Sequence, residues 1–155
     1  MTLRSTLTVA ASAVALAGSV VMAPAASAEP LVQNGCATMA NGVERCVMFF
    51  YGPGGGGMGA KASISDTAAG GDFDVKVTDV RLQTWSGGQW SLYLQEDDFD
   101  GWHADSDVAK TETRNTCAFP QTRLRVRATF AWRGSDGVVH FKDLVTDGTA
   151  RAMEC

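Results

Sequence analysis

Residues 122–132 read TRLRVRATFAW, with Leu124, Val126, Ala128, Phe130 and Trp132 alternating with Arg123, Arg125, Arg127, Thr129 and Ala131. A period of two predicts a strand with one face in a core and the other in water. RGSDG, residues 133–137, has the composition of a turn, and residues 138–144 (VVHFKDL) predict the returning strand of a hairpin. Upstream, Phe73, Val75 and Val77 share one face, and Val80 and Leu82 then continue one place out of step. Such a slip exchanges the two faces of a strand, so a bulge or bend is expected at Thr78-Asp79. SGG at 86–88 predicts a turn, and residues 89–95 (QWSLYLQ) place Trp90, Leu92 and Leu94 on one side of the next strand. Residues 45–51 (RCVMFFY) form an apolar run of strand length, 60–66 (AKASISD) alternate small and polar residues, and 108–114 offer a weaker strand.

Helical spacing is nearly absent after residue 28. About seven short strands punctuated by Gly and Asp predict an all-β chain, folded as an antiparallel β-sandwich of immunoglobulin-like type. The glycine-rich YGPGGGGMG, residues 51–59, satisfies the dinucleotide-binding pattern G-x-G-x-x-G, but that pattern has meaning only between a strand and a helix. Here AKASISD follows, and Gly59-Ala60-Lys61-Ala62-Ser63 breaks the spacing of a phosphate-binding Gly-Lys-Ser. The stretch is expected to be a flexible loop between two strands of one domain.

The first 28 residues change the picture of where this domain works. Arg4, an apolar Ala/Val run and Ala26-Ser27-Ala28 before Glu29 are the layout of a secretory signal peptide. The alanine-rich style of this leader resembles that of small secreted proteins of high-GC Gram-positive, actinobacterial type, a resemblance that implies no particular function. The expected product is a single secreted domain, residues 29–155, without a membrane span. Losing Arg4 takes the net charge from −4 to −5, which argues against nucleic acid as a partner. Four cysteines in an exported chain predict two disulfides. Three pairings are open to four cysteines; the favoured one joins Cys36 to Cys46, which flank the strong hairpin-turn signal Asn41-Gly42, and Cys117 to Cys155, which would pin the chain end. No C-x2-C spacing supports zinc held by these thiols.

Candidate chemistry concentrates in EDDFDGWHADSD, residues 96–107. Glu96, Asp98, Asp100 and Asp107 fall at positions 1, 3, 5 and 12 of a calcium loop, with Gly101 at position 6. The departures are a Glu at position 1, an Asp at position 12 and the lack of flanking helices, so any calcium would be structural and weak, and no other cofactor is expected. The same loop carries His103, which with His140 supplies the chain's two imidazoles; a small extracellular hydrolase would need one of them beside an acid, and no nucleophile motif supports it. Arg123, Arg125 and Arg127 form a basic ladder on one strand face, which would suit an anionic cell-wall polymer. Of four tryptophans, Trp90 and Trp132 are expected in the core and Trp102 on the surface. The reading that follows is a non-catalytic domain for recognition of a cell-envelope component or another extracellular protein. A second reading is an inhibitor of a secreted peptidase, with residues 116–122 (TCAFPQT) as the inserted loop.

Overall fold

A computed structural model describes residues 31–53, 57–69, 71–115, 123–146 and 150–151. The leader, Cys117, Cys155 and the segment 116–122 lie outside the described residues. Among those described the chain is all-β, with no α-helix, in the order β1 (Leu31–Thr38), β2 (Val43–Tyr51), β3 (Met58–Asp66), β4 (Asp74–Ser86), β5 (Gln89–Asp97), β6 (Ser106–Lys110), β7 (Arg123–Arg133), β8 (Val139–Val145) and β9 (Ala150–Arg151). Two antiparallel sheets of four strands pack together, one in the order β1-β2-β3-β6 and the other β5-β4-β7-β8, with the two-residue β9 pairing with the start of β7.

The turn chemistry explains the hairpins. Asn41-Gly42 reverses the chain between β1 and β2: Gly42 takes a φ of 88° and its N–H donates to the Met39 carbonyl. That places Cys36 directly opposite Cys46, and the two form a disulfide across the pair. Gly87 and Gly88, both at positive φ, close β4 onto β5, a geometry that matches the right-handed twist of paired strands. The glycine-rich stretch joins β2 to β3 as a hairpin, with register held through Tyr51↔Met58 and the Gly52 N–H donating to the Gly57 carbonyl. A strand follows it, so among the described residues no helix N-terminus adjoins the loop.

Alternation builds the core between the sheets. Val43, Val47, Phe49 and Ile64 from the first sheet meet Val75, Val77, Val80, Leu82, Leu124, Val126 and Phe130 from the second, all fully buried. Each such side chain contributes about 1.5–3 kcal/mol of transfer free energy. The register of β4 against β7 breaks between Val77 and Asp79, where the change of face requires it, and this keeps both Val77 and Val80 inside. A second irregularity falls between Leu82 and Gln83 of β4, opposite Leu94 and Leu92 of β5. Tyr93 is the extra residue there, and it reverses the faces of what precedes it. Leu94 is therefore buried, while Leu92 and Trp90 turn to the outer face. This corrects the expected core position of Trp90; Trp132 does join the core.

One core position carries a charge. Arg45 of β2 lies in register with the inward Val43 and Val47 and is 4% exposed. Its guanidinium stands 5.7 Å from the centroid of the Trp132 ring, and its Nε and one terminal nitrogen have no hydrogen-bond partner among the described residues. Burial lowers its pKa, since a charge is disfavoured away from water.

Candidate functional site

The arginine ladder stands on the outer face of the second sheet, where β7 is flanked by β4 and β8. Trp85 and Trp90 are cross-strand neighbours in the β4–β5 hairpin, edge to face at 5.2 Å. Arg125 lies 4.3 Å from the Trp90 centroid, and its Nε donates to Gln83 Oε1 at 2.7 Å. Arg123 reaches both rings, at 5.7 and 5.9 Å. The next arginine differs: Arg127 pairs with Asp143 of β8, which Thr129 also contacts. Asp143 is held below the usual carboxylate range, chiefly by Arg127. The ladder therefore splits into an Arg127 neutralised across the strands and an Arg125 that meets no carboxylate among the described residues. Arg125 is itself pushed down in pKa by burial and by the neighbouring Arg127. Trp85 is 37% exposed and Leu92, beside it on β5, is 57% exposed, so the cations sit at the rim of an open apolar ledge.

The acidic loop is held differently from a calcium hand. β5 pairs with β4 only up to Asp79↔Asp97. Beyond that rung the edge of β4 is open, and the loop runs along it: the Asp98 N–H donates to the Thr78 carbonyl, and His103 and Val75 exchange two backbone hydrogen bonds of 2.8 and 3.0 Å. The loop then crosses to β6 in the other sheet, pinned by the Asp66 N–H on the Asp105 carbonyl. Asp107, in β6, turns its carboxylate inward and accepts from the Val77 and Val108 N–H groups, both at 2.6 Å.

Asp98 and Asp100 belong to one turn, with the Asp100 N–H donating to Asp98 Oδ1. Burial raises the pKa of Asp98. Glu96 lies on β5, opposite Val80 and exposed. The ligand atoms that come within 4.8 Å of one another are those of Asp100, His103 and Asp107. His103 is the member that a calcium-loop reading misses; its place three residues after Asp100 and four before Asp107 was the available signal. Its imidazole is raised above the ordinary range by Asp100 first and Asp107 next, and Asp100 is lowered in return by His103.

Trp102 is half-buried under Arg133, whose guanidinium lies 4.5 Å from the ring centroid and pairs with Asp74. His140 is exposed, stacks on Trp132 at 5.5 Å, and lines an open depression of about 600 Å3 with Asp74, Arg133 and Asp136.

Fold and site define a disulfide-bonded antiparallel β-sandwich with a cation–aromatic face and an imidazole–carboxylate cluster. No protein-family model matches the chain, and no curated protein is significantly similar to it.

Proposed function

We propose that the protein is a secreted, non-catalytic recognition domain that binds an anionic polysaccharide on the outer face of the β4–β5–β7 sheet. The observation that carries this reading is the ledge of Trp85, Trp90, Arg123 and Arg125. Half-exposed indole rings suit the C–H faces of sugars. Arginines stacked on those rings are held in place, and a guanidinium presents a planar set of N–H donors suited to carboxylate or phosphate oxygens. An arginine without a carboxylate neighbour is a better anion receptor than one already neutralised, which separates Arg125 from Arg127. Export by the leader and processing after Ala28 belong to the same proposal, and a disulfide is compatible with an extracellular site of action. The sandwich shares with immunoglobulin-like domains two packed antiparallel sheets, while its strand order, β1-β2-β3-β6 over β5-β4-β7-β8, differs from the usual constant-domain arrangement.

Affinity electrophoresis tests the reading with a polyuronate and a neutral glucan as the embedded polymers. The polyuronate should retard the oxidised domain, less so at 0.5 M salt, because the screening length falls from about 10 Å at 0.1 M to about 4 Å there. Arg125→Ala and Trp90→Ala should each abolish the retardation. Equal retardation by the neutral glucan, or none by the polyuronate, would sink it.

A further inference from the structure

We infer that Asp100, His103 and Asp107 form a binding site for a divalent transition-metal ion of the zinc type, which clamps the 98–105 loop to the β4 edge and β6. The inference is independent of the polysaccharide reading. Three observations converge on it.

First, the donor set is one imidazole nitrogen and two carboxylates. Calcium takes six to eight oxygen ligands, whereas zinc takes nitrogen and oxygen donors in a four-coordinate shell that three side chains and a water can fill. Second, the spacing fits. Zinc–ligand bonds of about 2.0–2.2 Å in a tetrahedron put donor atoms roughly 3.3–3.6 Å apart. His103 Nε2 lies 3.0 Å from Asp100 Oδ1 and 3.8 Å from Asp107 Oδ1. Asp100 is the exposed, loop-borne member and supplies the remaining adjustment.

Third, His103 Nε2 is itself shielded from solvent and has no hydrogen bond of regular geometry among the described residues. It is close to both carboxylates, yet its N–H direction meets neither oxygen with hydrogen-bond geometry. A solvent-shielded imidazole nitrogen within 4 Å of two carboxylates is placed to share a cation with them. The cluster is also pre-organised. The Asp107 side chain is 3% exposed and is oriented by two backbone N–H groups, while the His103 backbone is fixed by its two bonds to Val75. Partners of this kind orient ligands in metal sites.

Zinc uptake by untagged, disulfide-oxidised full-length domain, measured by calorimetry at pH 7.5 and by metal analysis after dialysis, tests the site. Cobalt(II) serves as the coordination probe. The expected result is one equivalent of zinc and a four-coordinate cobalt visible spectrum. His140→Ala, which removes the other imidazole, should leave both unchanged. Asp100→Asn and His103→Ala should each weaken zinc by more than the roughly 10- to 100-fold that loss of an outer partner costs. Asp100→Asn changes a surface side chain of the same shape, so its circular dichroism and melting temperature should match the parent and keep the comparison valid if His103→Ala unfolds. Absence of zinc uptake, uptake that both substitutions leave intact, or calcium displacing zinc at equal concentration would each overturn the assignment.

Discussion

Replacing Arg45 by methionine should make the protein more stable. Arg45 is 4% exposed, and two of its guanidinium nitrogens lack hydrogen-bond partners among the described residues. A buried donor left unmade costs about 1–3 kcal/mol, so two cost about 2–6. The Trp132 ring at 5.7 Å returns at most about 2 kcal/mol. Methionine keeps a long flexible stem against the same neighbours and can contact the indole through sulfur, so little packing is lost. The net expectation is a gain of about 2 kcal/mol, within the range seen when buried charges give way to apolar side chains of similar size. Urea unfolding of the oxidised protein, followed by tryptophan fluorescence, should show a midpoint raised by about 1 M at unchanged slope. The thermal midpoint should rise on the order of 5–10 °C. Destabilisation by more than about 1 kcal/mol at equal slope would refute the reasoning, because it would mean that the charge is compensated in the folded protein.

Two further substitutions test the electrostatics and the backbone. Asp143 is depressed in pKa chiefly by Arg127, so its contribution is present above the unfolded carboxylate pKa and is lost as pH falls through the lower folded value. Asp143→Asn should therefore melt below the parent at pH 7, with the difference closing towards pH 2; a gap that widened in acid would contradict the pairing. Gly57 holds a φ of 126°, and a Cβ there would meet the Arg114 carbonyl carbon and oxygen at 2.3 Å. Gly57→Ala should cost more than about 2 kcal/mol in urea unfolding, whereas Gly87→Ala, with a φ of 59° and open space, should cost about 1.

The elements legible in the sequence are those that local chemistry decides. Asn41-Gly42 announced its hairpin and so the Cys36–Cys46 pairing. The slip at Thr78-Asp79 announced the bulge, and the alternation through residues 122–132 announced β7 and its arginine face. What was hidden depends on partners distant in the chain. Trp90, Leu92 and Leu94 alternate as one face, and only the irregularity opposite Leu82 and Gln83 shows that Leu94 goes in while Trp90 goes out. Arg45 sits at the head of an apolar run, where nothing local says that it points inward. His103 and Asp107 are close in sequence, but their convergence needs the open edge of β4, which exists because β5 stops pairing at Asp79↔Asp97. β1 is legible only as the first arm of that hairpin; its extent back to Leu31 is hidden, because LVQNGCAT lacks a clean alternation.

The disulfide has a mechanical consequence. Among the described residues β1 borders its sheet and pairs with β2 alone, and the first residue of β1 sits at Leu31↔Phe50, the rung farthest from the 39–42 turn. Tension applied to the chain ahead of β1 would open the ladder like a zipper, one rung at a time, from Leu31 towards Cys36. At Cys36 the rung is covalent, and the tear stops after residues 31–35 have been released. Further pulling loads β2, which is flanked on both sides and carries Val47 and Phe49 into the core. A tethered or partly translocated chain would thus yield a short length at low force and then resist with the strength of the whole sheet.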